Sequence, residues 1–156
     1  MKFDYDRDFS TIDFRAHPEL YQIGVGEQGV FRVQPYKGEI LPHWRFATPD
    51  DARESSRAIF ELYQGYKAEA DFVGMDMARK FLQMGYTRSR RYANHRGGRK
   101  FDKATGAPTV EPGDPAKAES ALIFREALDR VKDDPDYLAL KARHRDQFDP
   151  PTRRDR

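Results

Sequence analysis

Ahead of the tail that begins at Asp149, a capping Thr or Asp stands directly before a proline three times, at Thr48-Pro49, Asp114-Pro115 and Asp134-Pro135. An N-cap oxygen satisfies an otherwise orphaned backbone N–H, and proline suits the first helical position because its missing N–H would be unpaired there anyway. The three pairs therefore fix the starts of helices over about residues 49–69, 114–132 and 134–148. Behind Thr48, Asp50 and Asp51 complement the positive end of the helix dipole, and Ala52, Ser56, Ile59, Leu62, Tyr63, Tyr66 and Ala70 recur at helical spacing. In the next of the three, Ala118, Ala121, Leu122, Leu128 and Val131 form the apolar stripe. Asp71 reads as the cap of a further helix through Met75, Ala78 and Leu82 with Gly85 as its stop, and Thr87 as the cap of a short basic helix.

The N-terminal third reads differently. Gly29–Tyr36 and Ile40–Phe46 are rich in aromatic and β-branched residues and flank Lys37-Gly38-Glu39, which predicts a hairpin. Pro35 and Pro42 confine its strands to edges or ends. The expected fold class is therefore α+β, a short N-terminal β-hairpin region packed on four to five helices, as a single domain over residues 1–148. The remaining residues 149–156 form a short charged tail, expected to be flexible, and residues 97–113, punctuated by glycine and proline, an exposed connection. Eleven Phe, eight Tyr and one Trp among 156 residues supply a real core despite 35% charged residues. The single Trp44 is expected to anchor that core between the hairpin and the first long helix.

Zero cysteines exclude disulfide frameworks, thiolate metal sites and cysteine nucleophiles. No apolar run is long enough for a transmembrane span and the N-terminus lacks the apolar stretch of a signal peptide, so a cytoplasmic location and no membrane partner are expected.

Charge distribution is the strongest functional signal. The 25 residues from Met77 to Phe101 contain Arg79, Lys80, Arg88, Arg90, Arg91, Arg96, Arg99 and Lys100 and no acid, and removing those eight from the formal net charge of +2 leaves −6 for the rest. Tyr86 and Tyr92 are interleaved as stacking or packing candidates, with Asn94 and His95 as neutral hydrogen-bonding groups. Guanidinium forks match phosphates, and aromatic rings stack on exposed bases, so nucleic acid or a phosphate-containing ligand is the expected partner. The competing reading is internal pairing with the acids elsewhere in the chain. A third is an acidic protein partner, with the chain as a non-enzymatic adaptor. An enzyme acting on nucleotides or nucleic acid would use His95 or His43 as acid/base. A helix-turn-helix reading of residues 77–92 is a lesser alternative, since the segment between Ala78 and Gly85 is longer than the compact turn of that motif wants.

Gly24-Val25-Gly26-Glu27-Gln28-Gly29 matches a dinucleotide fingerprint by letter, but that motif needs a strand before and a helix after. The favoured reading is a turn requiring positive φ or close packing, with a phosphate-contacting loop as the alternative. His17, His43, His95 and His144 lack metal-ligand spacing, and Asp13, Glu27, Glu39 and Asp76 show no pairing that singles out a divalent metal. No cofactor, metal or catalytic residue is assigned.

The stretches FDYDRDFSTIDFRAHPELYQIGVGEQGVF, QPYKGEILPHWRF, ADFVGMDMARKFLQMGYTRSRRYANHRGG and DPAKAESALIF together resemble a small family of domains of unknown function found in bacteria and phages. The resemblance spans nearly the whole chain. It implies one intact cytoplasmic domain and brings no catalytic residues.

Overall fold

The computed structural model describes residues 3–94, 104–106 and 114–148. Among the described residues there are five α-helices, α1 (Tyr36–Ile40), α2 (Pro49–Ala68), α3 (Phe72–Asn94), α4 (Pro115–Lys132) and α5 (Pro135–Phe148), and the chain before α1 and between α1 and α2 is irregular with short 3₁₀ turns. All three cap-plus-proline starts form: Thr48 Oγ1 accepts from Asp51 N at 3.1 Å, Asp114 Oδ1 from Ala116 N at 2.9 Å and Asp134 Oδ1 from Asp136 N at 3.0 Å.

The expected α+β class and its hairpin are overturned, because the described residues contain no strand. Residues 29–32 and 34–35 are turns, Lys37-Gly38-Glu39 lies inside α1, and Leu41–His43 is a 3₁₀ turn. The physical reason is visible in what is buried. Val30, Val33, Tyr36 and Ile40 go into the core, a spacing of three to four residues where a half-buried strand would bury every second one. Aromatic and β-branched content marks core demand here rather than a pleated backbone.

A second correction concerns Gly85, which does not stop a helix. α3 runs unbroken through Gly85 and Thr87, merging the two helices expected there. Every residue from Phe72 to Leu82 is buried, so α3 is the central post of the fold, packed most extensively on α4 and then α2. Its glycines permit that closeness: a Cβ on Gly74 would lie 2.4 Å from Tyr66 Cγ of α2, and one on Gly85 would lie 2.6 Å from Phe124 of α4. The N-terminal irregular chain adds Phe14, Tyr21 and Ile23 to the same core. Trp44 packs against it as expected, its ring 6.2 Å from that of Phe81. Among the described residues no helix is long and apolar enough to cross a membrane.

Candidate functional site

The basic segment divides along α3. Its inner cations, Arg79 and Lys80, are 6% and 0% exposed. They flank Asp76, which is fully buried and accepts from Arg79 Nε at 3.0 Å, Arg79 Nη2 at 2.8 Å, the Tyr137 hydroxyl at 2.6 Å and the Tyr21 hydroxyl. Arg79 Nη1 reaches Gly26 O at 2.5 Å and Gln83 Oε1 at 2.9 Å, while Lys80 Nζ donates to Gln28 O at 2.7 Å and sits 4.7 Å from the centre of the Tyr21 ring. Internal pairing therefore accounts for these two cations. The network ties the N-terminal chain and α5 to α3.

Burial by itself pushes the Asp76 carboxyl up, but the charges of Arg79 and Lys80, with the two tyrosine hydroxyls, outweigh it and hold the group down at about 2. Burial drives Lys80 the other way, down to about 8 from the usual 10.5, despite the attraction of Asp76. A lysine with a depressed folded pKa is neutral in the folded state and charged in the unfolded state between those two values, so the unfolded chain binds more protons there and stability rises with pH. Denaturant unfolding of the wild type should accordingly show increasing stability from pH 8 to pH 10, with a smaller rise in Lys80→Met. Identical pH slopes in the two proteins would refute a neutralising Lys80.

Toward the far end of α3 the side chains diverge. Tyr86 turns to α4, where Arg125 Nη1 donates to its hydroxyl at 3.2 Å. Arg88 lies over Trp44, its guanidinium carbon 5.9 Å from the ring centre. Tyr92 is 38% exposed and faces Phe46 and Lys117, 6.4 Å from the ring of the former and 5.8 Å from Nζ of the latter. Arg90, Arg91 and Asn94 are exposed. His95, Arg96, Arg99 and Lys100 lie outside the described residues, as does nearly all of the 97–113 connection and the 149–156 tail. The described part of the segment thus forms no single surface: Arg79 and Lys80 face the interior, and Arg88, Arg90 and Arg91 are left facing outward.

His43 lines a groove of about 970 Å³ between α2 and α5 together with Glu61, Glu69 and Asp71. Two of those carboxylates are already engaged, Glu61 by Arg57 Nη1 at 2.9 Å and Asp71 by the Tyr36 hydroxyl at 2.6 Å. No group of three or more metal-ligating side chains is assembled among the described residues. Asp76 serves Arg79 and the two tyrosines rather than a cleft.

A smaller cavity of about 280 Å³ has a different chemistry. It lies between the Gly24–Gly26 turn, α3 and the α4–α5 elbow, and its charged lining is Arg79, Lys132, Lys141 and Arg145, with no Asp or Glu. Lys132, Lys141 and Arg145 form no hydrogen bond or ion pair among the described residues; Lys141 lies only over the Tyr137 ring, at 5.8 Å. Burial lowers the pKa of Lys141, and the charges of Arg145, Arg79 and Lys132 lower it further against the opposing pull of Asp76. Gly24 and Gly26 adopt φ of +70° and +60°, and neither amide N–H has a hydrogen-bond partner among the described residues. Arg79, bonded to Asp76 behind and Gly26 in front, is the fixed floor of the cavity.

Of this lining, the sequence pattern pointed to Arg79 and to the glycine turn, and missed Lys132, Lys141 and Arg145. Those three are scattered among Asp133, Asp134, Asp136 and Asp146, so no charge run marks them. The available signal was a helical one: Tyr137, Lys141 and Arg145 stand four residues apart and fall on one face of α5.

Neither the curated proteins nor the solved structures contain a match to the chain. The family model for Domain of unknown function (DUF4385) matches residues 4–147, a span that holds α1 to α4, α5 up to its last residue, the glycine turn and every residue of the basic cavity. The chain belongs to that family.

Proposed function

We propose that the protein binds a small phosphate-bearing ligand in the cavity formed by the Gly24–Gly26 turn, Arg79, Lys132, Lys141 and Arg145. The observation that carries this reading is a wall of four cations of which three, Lys132, Lys141 and Arg145, have no carboxylate to neutralise them among the described residues, Arg79 alone being paired, with Asp76. Like charges gathered without a counter-ion repel one another, and an anion placed among them removes that repulsion while gaining charge-assisted hydrogen bonds. Arginine contributes a planar fork and lysine a mobile point charge, a combination suited to a tetrahedral oxyanion. The free N–H groups of the glycine turn add uncharged donors, and glycine lets a ligand approach the backbone closely.

The test is thermal unfolding of the wild type and of Lys141→Met/Arg145→Met with increasing inorganic phosphate or sulfate at fixed ionic strength. A ligand that binds only the folded state raises its stability by about 2.7 kcal/mol at a hundredfold excess over Kd. The wild-type midpoint should rise with anion concentration and that of the double variant should rise far less. Arg145 is exposed and Lys141 half-buried, neither with an internal salt bridge, so the substitutions leave the core intact. An equal response in both proteins would place any bound anion elsewhere.

A further inference from the structure

The hydrogen-bonding character of the same wall sets a condition on the anion, and this condition rests on the phosphate-binding reading above. Lysine and arginine only donate. Gln83 Oε1 already accepts from Arg79 Nη1, which leaves the Gln83 amide N–H groups as donors. The Tyr137 hydroxyl gives its proton to Asp76, and Gly26 O receives Arg79. The side chains of the wall are thus mostly donors, and the two acceptor oxygens they contain, on Gln83 and Tyr137, belong to groups that already make a hydrogen bond. A phosphate that retains a proton would bring less charge to a cationic wall and turn a P–OH toward a surface dominated by donors, at the cost of desolvating the hydroxyl.

We infer that the site selects a tetrahedral oxyanion stripped of protons, and specifically the dianion of a phosphate monoester, R–O–PO₃²⁻. At about 280 Å³ the cavity falls below the roughly 300–1,000 Å³ of pockets that enclose a drug-sized ligand. It therefore takes the phosphate and a few neighbouring atoms, with the rest of the substituent passing outward along Leu138, which is exposed and borders the cavity. The groups that face the bound phosphate are Arg79 and Gln83 from α3, Lys132 from α4, and Tyr137, Lys141 and Arg145 from α5, with Asp76 behind Arg79. None of the lining groups is a histidine or a carboxylate, so the protonation change that matters between pH 5 and pH 7 belongs to the ligand.

Calorimetric titration of the full chain with methyl phosphate, sulfate and inorganic phosphate distinguishes the possibilities. A phosphate ester loses its second proton near pH 6, so its dianion fraction, and with it the affinity for methyl phosphate, should rise about tenfold from pH 5 to pH 7. Sulfate, ionised throughout, should bind equally at both pH values and reports any change in the wall itself. Inorganic phosphate, which keeps a P–OH at pH 7, should bind about tenfold more weakly there than methyl phosphate. A methyl phosphate affinity as flat with pH as that of sulfate, or inorganic phosphate equal to methyl phosphate, would overturn the selection for the dianion while leaving anion binding in place. Absence of binding by all three would remove both.

Discussion

Asp76→Ala is expected to cost about 3–5 kcal/mol of stability, because removing one partner of a buried ion pair strands the other charge in the interior. The stranded groups are Arg79 and Lys80, both almost wholly enclosed, and the Tyr21 and Tyr137 hydroxyls lose their acceptor in the same step. Against a total folding stability of about 5–15 kcal/mol, a loss of that size leaves much of the variant unfolded. Asp76→Asn keeps a hydrogen-bond acceptor without the charge and should fall between wild type and Asp76→Ala. The informative companion is Asp76→Leu/Arg79→Met, in which an apolar pair replaces the carboxylate and its guanidinium while Lys80 and the two hydroxyls stay. It should be clearly more stable than Asp76→Ala, since no uncompensated guanidinium remains beside the site. Urea unfolding of the set measures this directly, and a loss below about 1 kcal/mol in Asp76→Ala would contradict a fully buried network.

Acid should act through the same group. The Asp76 pKa is depressed in the folded state, from the usual 3.8 to about 2. The stability it contributes is complete above pH 4 and is lost as the pH falls through about 2, where the carboxyl finally protonates in the folded protein.

The second large effect concerns Gly85. Replacement of a mid-helix glycine by alanine ordinarily stabilises a helix by about 1 kcal/mol. Here the sign reverses. The added methyl would stand 2.6 Å from Phe124 Cδ1 and Cε1, and Phe124 is fully buried where α3 and α4 meet, with no solvent to swing into. Gly85→Ala should therefore lose about 1–3 kcal/mol through overpacking. Gly85→Ala/Phe124→Leu should recover part of the Gly85→Ala loss, because the smaller side chain gives back the space. A stabilised single variant, or a double variant no better than the sum of two independent losses, would show that the helices part freely at this crossing.

These two sites also show where sequence reasoning stops. Gly85 followed by Tyr86 and Thr87 has the local form of a helix end followed by a new cap, and no feature of those residues announces that Phe124, thirty-nine positions away, needs the space. Asp76 looked like any other acid in a chain that has 26 of them. Its importance comes from Tyr21 and Tyr137, brought to it from the N-terminal chain and from α5. The acid-free run from Met77 to Phe101 was legible as a charge imbalance, but a helix turns its residues through every direction. Arg79 and Lys80 met the core while Arg88, Arg90 and Arg91 met solvent. The hairpin expectation failed for a related reason: residues 30–40 bury side chains at a period of three to four, and their aromatic richness outweighed that period in a reading by residue type.

What the linear chain determined by itself was where α2, α4 and α5 begin, because a cap oxygen and a proline act on N–H groups within three residues of themselves and need nothing else to be present. Only the tertiary structure decided which charges are spent inside and which remain to meet a ligand. Electrostatic pairing depends on distance through space, and the cavity's cations come from α3, α4 and α5, separated in the sequence by up to 66 positions and gathered only when those helices pack.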